Sequence, residues 1–447
     1  MRATRRQVLA GLGAGVALYG CKDLPPDSAE PTPVRPDEPP RWTPEGQVDS
    51  ATFPCGVQVC DVETDTALIS VRSEEPAALV LATVVGEAWE VLSPGERLVP
   101  SGGRIVTDLS GLSPDTPYSL CFYTDDGRRS EVTRFRTAVA ADGFRVLRFG
   151  ATSCLGSANP EWGNLGQAAG ESLDFFLLLG DTVYADGAQT LEQYRGYWQA
   201  ALSTPSLLAL SGSTSFVVTW DDHEVADAWV VDGNVSAERA QAARQAMSEA
   251  VPNLPGGGEY GIYRSIRWGE LIEIFVLDCR GERDVEATRI LSEEQIAWLI
   301  AGLNASTAQL KLVLSSVHMA DHTALFGGVY QEDRWQGYPD QRSRVVAAIA
   351  AVPGAVVITG DMHYSALSYL DPAGGDGAAV AEVAVGPAGS RINPLVAFYE
   401  GDRSQYPILL ATWTCSIFEF DPGRGTLRVS FVDDAGAVLA EQELVIG

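Results

Sequence analysis

The chain reads as an α/β protein preceded by a small β-sandwich, and three observations carry that reading. From about residue 141 onward, continuous apolar runs, as expected for strands buried on both faces, alternate with helical stretches. From about 51 to 140 the pattern is different: short alternating strands split by turns, with no helical period. At 447 residues the chain also exceeds one ordinary core, so about two to three domains are expected.

The first stretch, residues 1–21, has the layout of a targeting segment. Arg2, Arg5 and Arg6 precede an apolar run from Val8 to Leu18 that is short for a bilayer span and ends at the small residue Gly20 and Cys21. Thr4-Arg5-Arg6-Gln7-Val8-Leu9 resembles a twin-arginine export signal, with Val8 where an aromatic is more usual. Leu18-Tyr19-Gly20-Cys21 resembles a bacterial lipoprotein cleavage box, with Cys21 as the residue to be acylated. The expectation is an exported bacterial protein, periplasmic or on the cell surface and lipid-anchored at Cys21. Plain cleavage and release is the other outcome. Residues 22–50, rich in Pro, Asp and Glu, fit an extended spacer behind that anchor.

In 51–140 the clearest strands are Thr66 to Val71, Ala78 to Ala82 and Tyr118 to Tyr123. The segment Leu112-Ser113-Pro114-Asp115-Thr116-Pro117-Tyr118 resembles the turn-and-tyrosine segment of fibronectin type III or immunoglobulin-like sandwiches. No catalytic constellation stands out there.

The catalytic signal lies in 141–447, in the residues directly after each apolar strand. Arg145 to Phe149 leads to Thr152-Ser153-Cys154. Leu173 to Leu179 leads to Gly180-Asp181-Thr182-Val183-Tyr184, and Phe216 to Thr219 to Trp220-Asp221-Asp222-His223-Glu224. Leu271 to Leu277 leads to Asp278-Cys279-Arg280, Leu310 to Leu314 to His318, and Ala355 to Ile358 to Gly360-Asp361-Met362-His363. Sites in α/β folds gather beyond the carboxyl ends of strands. One Asp in such a place is usually a turn residue or cap; six junctions carrying thiol, carboxylate, phenol, imidazole and guanidinium form a constellation. The chain has four histidines, His223, His318, His322 and His363, and each falls at or just after one of these ends. Ser292 with Gln295 fits a capping box opening the helix of Trp298 and Leu299.

Attack on a phosphate ester requires a nucleophile at neutral pH and relief of charge on the phosphoryl oxygens, and two neighbouring metal ions supply both. Carboxylate, imidazole and phenolate suit hard or borderline ions, and one carboxylate can bridge two. Neither a P-loop nor a Gly-x-Ser-x-Gly elbow is evident.

Gly180-Asp181-Thr182-Val183-Tyr184-Ala185-Asp186, Trp220-Asp221-Asp222-His223-Glu224 and Gly360-Asp361-Met362-His363 resemble, in order, the motifs of PhoD-like alkaline phosphatases. These are calcineurin-like metallophosphoesterases related to the purple acid phosphatases. The similarity spans about 145 to 432. It implies a four-layer α/β metallophosphoesterase sandwich and hydrolysis of phosphate mono- or diesters by metal-activated hydroxide. It further implies that Cys154, Asp181, Tyr184 and His363 bind a ferric ion, and that Asp181 bridges to a calcium ion shared with Asp222 and Asp361. Other divalent metals also suit this donor set. His223 matches the histidine that protonates the leaving oxygen, and Arg280 an arginine that steadies a phosphoryl oxygen. Each has a plainer reading: Cys154 as a small buried apolar residue, Tyr184 as core packing, Asp222 as a helix cap.

The sequence departs from the family in two places. Cys279 stands where threonine is usual, its thiol free to stay buried or to pair with Cys415. Leu314-Ser315-Ser316 occupies the strand end where purple acid phosphatases bring a histidine to the second metal, and His318 follows slightly later. Of seven cysteines, three fall in 51–140 and three beyond 141, so each part is left with at least one thiol that cannot pair internally. The formal charge of −28 argues against a nucleic-acid or anionic-membrane surface. The expected partner is a phosphate-ester substrate, the expected state a monomer, and membrane contact is through the lipid anchor alone. The rival reading is a non-catalytic surface lipoprotein that uses a degenerate phosphatase fold for binding.

Overall fold

The computed structural model describes residues 41–446 except 86–87, 328–330 and 400–402. The targeting segment, Cys21 and most of the spacer lie outside the described residues. Among those described, no helix is long and apolar enough to cross a membrane.

The six apolar runs become six strands in two sheets. Leu147–Thr152, Phe175–Leu179 and Ser215–Thr219 are parallel neighbours at the centre of a nine-stranded sheet. Ile272–Val276, Leu310–Ser315 and Ala355–Thr359 are parallel neighbours in a seven-stranded one. Their side chains alternate between two apolar layers, as period-2 geometry demands. Phe175, Leu177 and Leu179 join Ile272, Ile274, Leu312 and Ile358 in the core between the sheets. Phe176 and Leu178 point the other way, against Tyr194, Trp198 and Leu202 of helix Leu191–Leu202 and Met247 of helix Ala237–Ala250. Phe275, Val313 and Val357 face helices Glu293–Ala305 and Pro339–Ala350 through Leu299, Leu303, Val345 and Ile349. The result is the expected α–β–β–α stack of four layers. Each fully buried Leu, Ile or Phe contributes about 1.5–3 kcal/mol to holding it.

The strands of 51–140 do not close on themselves. Ala77–Val85 and Pro117–Tyr123 belong to a separate six-stranded sheet, but Val57–Cys60, Thr66–Arg72 and Arg104–Ser110 continue the nine-stranded one, with Cys60 paired to Phe216. Val57–Cys60 is buried on both faces like the catalytic strands, which lets the sheet run on, whereas Arg104–Ser110 at its edge alternates toward solvent. The turn before Tyr118 is held as its resemblance implied, with the Ser113 amide donating to the Tyr118 hydroxyl at 2.8 Å.

One ion pair bolts this extension to the opposite sheet. Asp61, at the end of Val57–Cys60, receives both prongs of Arg264 at 2.6 and 2.8 Å with both side chains buried. Asp61→Ala leaves the guanidinium buried and unpaired, and is expected to cost about 3–5 kcal/mol in urea denaturation. A loss below about 1 kcal/mol would show that water reaches the arginine and the bolt is not structural.

Helix Glu293–Ala305 opens differently from expectation. The Ser292 hydroxyl does cap the Gln295 amide at 3.1 Å, but Gln295 does not reach back to close the box. Its carboxamide accepts from the Asp278 amide at 2.9 Å and donates to Glu282 at 2.6 Å, fixing the strand end that carries Arg280.

Candidate active site

Five strand ends meet where the sequence places the chemistry. In-register pairing of Thr152 with Leu178 and of Leu179 with Thr219 brings their exits level, and Ser315 pairs likewise with Thr359. Immediately beyond, the chain turns sharply. Among the described residues, eleven that are not glycine have positive φ, and four of them are Cys154 (58°), Asp181 (54°), Asp361 (68°) and His363 (58°). A left-handed backbone costs a non-glycine residue about 1–3 kcal/mol and persists where the surroundings enforce it, most often at functional sites. Gly180 is required here for space, because a Cβ on it would lie 2.4 Å from Cβ of Asp221.

The side chains converge accordingly. Donor atoms of Cys154, Asp181 and His363 all lie within 4.8 Å of one another, as do those of Asp181, Asp222 and His223, and those of Asp221, Asp222 and Asp361. The Tyr184 hydroxyl donates to Asp181 Oδ2 at 3.1 Å, stands 3.4 Å from His363 Nε2 and also bonds Ser390. Asp181 thus belongs to two adjoining groups and Asp222 to two, the arrangement of a shared carboxylate. The readings of Cys154, Tyr184 and Asp222 as mere packing or capping do not account for this convergence.

Glu224, part of its motif but given no role by the sequence, aims these groups. Its carboxylate accepts from the amides of Asp181, Thr182 and Asp221 at 2.9, 2.7 and 2.8 Å. With Asp181, Asp221, Asp222 and Asp361 it makes five buried acids around one locus. Burial first, and then the neighbouring carboxylates, push Asp181 well above the ordinary carboxylate range. A buried collection of like charges is costly unless cations sit among it.

His223 is held by two contacts. Its Nδ1 lies 2.8 Å from Asp186 Oδ1, and its ring stacks on Tyr184 with centroids 4.2 Å apart. Burial works to strip the imidazole of its proton, but the Asp222 and Asp181 carboxylates and the Asp186 contact outweigh it, raising its pKa to about 11. The Asp186 contact occupies Nδ1 and leaves Nε2 as the ring's other polar atom. Asp186→Asn keeps the contact's shape and removes its charge. It is expected to lower kcat by about tenfold with little change in KM, read by steady-state kinetics. A change in KM alone would contradict the positioning role.

Arg280 lies elsewhere than its expected role requires. Its side chain is fully buried, with Nε on Asp221 at 2.6 Å and a terminal nitrogen on the same carboxylate at 3.1 Å. It stands 3.9 Å from Asp222 and 3.8 Å from Asp361, and its other terminal nitrogen meets Asp333 at 3.2 Å. The fork that would grip a phosphoryl oxygen is closed on Asp221, so the arginine offsets the carboxylates from behind. Ser316, at the strand end where purple acid phosphatases bring a histidine, donates to Asp221 at 2.8 Å. His318 and His322 do not join this group. Asp333 and the buried Trp335, whose indole donates to Ser315 at 3.1 Å, tuck the segment after His318 against these strand ends. All six described cysteines are unpaired and buried; Cys279 meets the Ser315 hydroxyl and Cys415 the Asn164 carbonyl.

The fold occurs in known proteins. Solved structures of PhoD (TM-score 0.73, 21% identity, 90% of each chain) and of a purple acid phosphatase from yellow lupin seeds, Lupinus luteus (TM-score 0.60, 13% identity, 87% of this chain and 73% of that one), share the fold. The chain therefore has the metallophosphoesterase fold. The family model described as PhoD-like phosphatase matches residues 149–401, more than half of the sequence, and the chain belongs to that family. Alkaline phosphatase D of Bacillus subtilis (strain 168) is 30% identical over 316 residues, 59% of this chain and 54% of that protein. The chain thus spans about half the length of this curated relative.

Proposed function

We propose that the protein is an exported, metal-dependent phosphoesterase of the alkaline phosphatase or phosphodiesterase type. The observation that carries this reading is the convergence of Cys154, Asp181 and His363, each held at positive φ, with the Tyr184 hydroxyl bonded to Asp181. The donor set fits cations: a thiolate, a phenolate and an imidazole suit a trivalent or borderline ion, and Asp181, Asp222 and Asp361 suit a hard divalent one such as calcium. Iron and calcium are the family's expectation for these two positions. Ions held there would supply a water activated at neutral pH and neutralise charge on the phosphoryl group.

The chain's own residues do the rest. Glu224 and Arg280 fix the directions of Asp181 and Asp221, so the carboxylates need no reorganisation when substrate arrives. His223, protonated and steadied through Nδ1 by Asp186, offers its Nε2 proton to the leaving oxygen of the ester. The acidic protein surface gives no reason to expect a nucleic-acid substrate.

The test is hydrolysis of nitrophenyl phosphate beside bis-nitrophenyl phosphate, with chelator-treated protein as background. Turnover of either above that background supports the reading, and the ratio of rates separates monoester from diester preference. No turnover of both by metal-replete protein would overturn it. Export and lipidation at Cys21, inferred from residues 2–21, are tested by the mass of the mature N-terminus isolated from membranes. An unmodified, uncleaved Met1 would refute both.

A further inference from the structure

We propose that His318, His322 and Glu382 form a second metal site, apart from the active site and structural in kind, which takes zinc with the Tyr364 hydroxyl at the fourth position. All four side chains are fully or almost fully buried, and none belongs to the active-site groups.

The distances are those a small tetrahedral ion imposes. His318 Nδ1 lies 3.0 Å from His322 Nε2 and 3.1 Å from Glu382 Oε1, and His322 Nε2 lies 3.5 Å from the same oxygen. The Tyr364 hydroxyl is 3.4 Å from both of those ring nitrogens and 3.2 Å from the other nitrogen of His322. Ligands about 2.0–2.1 Å from a tetrahedral zinc stand about 3.3–3.4 Å apart along each edge. The observed 3.0 to 3.5 Å brackets that edge.

Hydrogen bonding alone serves this cluster poorly. Nδ1 of His318 faces Glu382, His322 and Tyr364 at once with at most one proton to give. Its Nε2 is buried with no hydrogen-bond partner among the described residues. Glu382 is pre-aimed: Oε2 accepts from the amides of Met319 and Ala320 at 2.8 and 2.7 Å, which leaves Oε1 to the histidines. Two buried ring nitrogens and a buried carboxylate oxygen turned toward one another form a donor set for a cation. With two histidines, a carboxylate and a phenol and no exposed position, the chemistry selects zinc in a closed, structural site that pins the 317–323 segment to strand Ala381–Ala384.

The test uses the full chain carrying Asp181→Asn, which cripples the active-site group, expressed with zinc and dialysed against a weak chelator. About one zinc per chain is expected to remain, with X-ray absorption fine structure showing two imidazoles and oxygen neighbours. Removing it with a strong chelator is expected to lower Tm by about 5 °C or more. Glu382→Gln on the same background, isosteric but uncharged, is expected to lose the zinc in the weak chelator. No retained zinc, zinc without imidazole scattering, or equal zinc with and without Glu382→Gln would overturn the proposal. So would sulfur scattering at about 2.3 Å, which marks Cys154 and hence the active site. If Glu382→Gln does not fold, the absorption spectrum decides alone. None of these readouts depends on phosphoesterase activity.

Discussion

Asp181→Asn is expected to lower kcat/KM on phosphate esters on the order of 10³-fold, about 4 kcal/mol of transition-state stabilisation, and to lower bound metal in the same preparation. Asp181 carries more of the site than any other residue. One carboxylate oxygen faces Tyr184 beside Cys154 and His363, while the other accepts the His223 amide at 3.3 Å in the group shared with Asp222. The amide keeps the side chain's shape and the Glu224 contact to its backbone nitrogen, so the fold should survive. Burial also favours the neutral form at this position, so the apo-protein should gain or keep stability in the variant. Retained activity in a folded Asp181→Asn protein would remove this residue from the reaction.

His223→Gln is expected to cost about 10²–10⁴-fold in kcat on alkyl phosphate esters and much less on nitrophenyl esters. A nitrophenolate leaves without a proton, whereas an alkoxide requires one. The difference between the two classes therefore isolates proton donation from positioning. Equal losses on both would show that the imidazole holds the phosphoryl group rather than protonating the leaving oxygen. Partial retention of rate by His223→Gln with Asp186→Asn, no worse than His223→Gln alone, would confirm that Asp186 acts only through the ring.

The strand ends were legible because two physical signals coincide in them. A strand buried on both faces is a continuous apolar run, and a polar cluster directly after one has few structural reasons to exist. Leu177 to Asp181 and Val357 to His363 show both, and the structure brings Asp181 and His363 together. The division of six strands between two sheets was not legible, since Leu178 and Leu312 look alike whichever sheet they pair in. The continuation of the nine-stranded sheet into Val57–Cys60 was hidden for the same reason, and the Asp61–Arg264 pair spans some two hundred residues of sequence.

Residues that act through others were the ones missed. Ser390 follows a short run, Ala381–Ala384, with a glycine-rich loop between, and nothing local marks it as a partner of Tyr184. Asp186 sits inside a recognised motif, yet only the fold shows its carboxylate at the His223 ring. Arg280 misled in the opposite direction. A guanidinium after a strand looks ready for an anion, but whether it points at solvent or at Asp221 depends on the neighbouring strand. His318 and His322 carry a spacing of four, and their shared partner Glu382 lies in another strand altogether.

The measurement that most directly tests the central claim is a reconstitution of one wild-type preparation, with metal content and nitrophenyl ester hydrolysis read on the same samples. Strong chelation followed by addition of iron and calcium is predicted to abolish turnover and then restore it, in step with the metal bound. Turnover that survives complete removal of metal, or metal that returns fully without any turnover, would contradict the account.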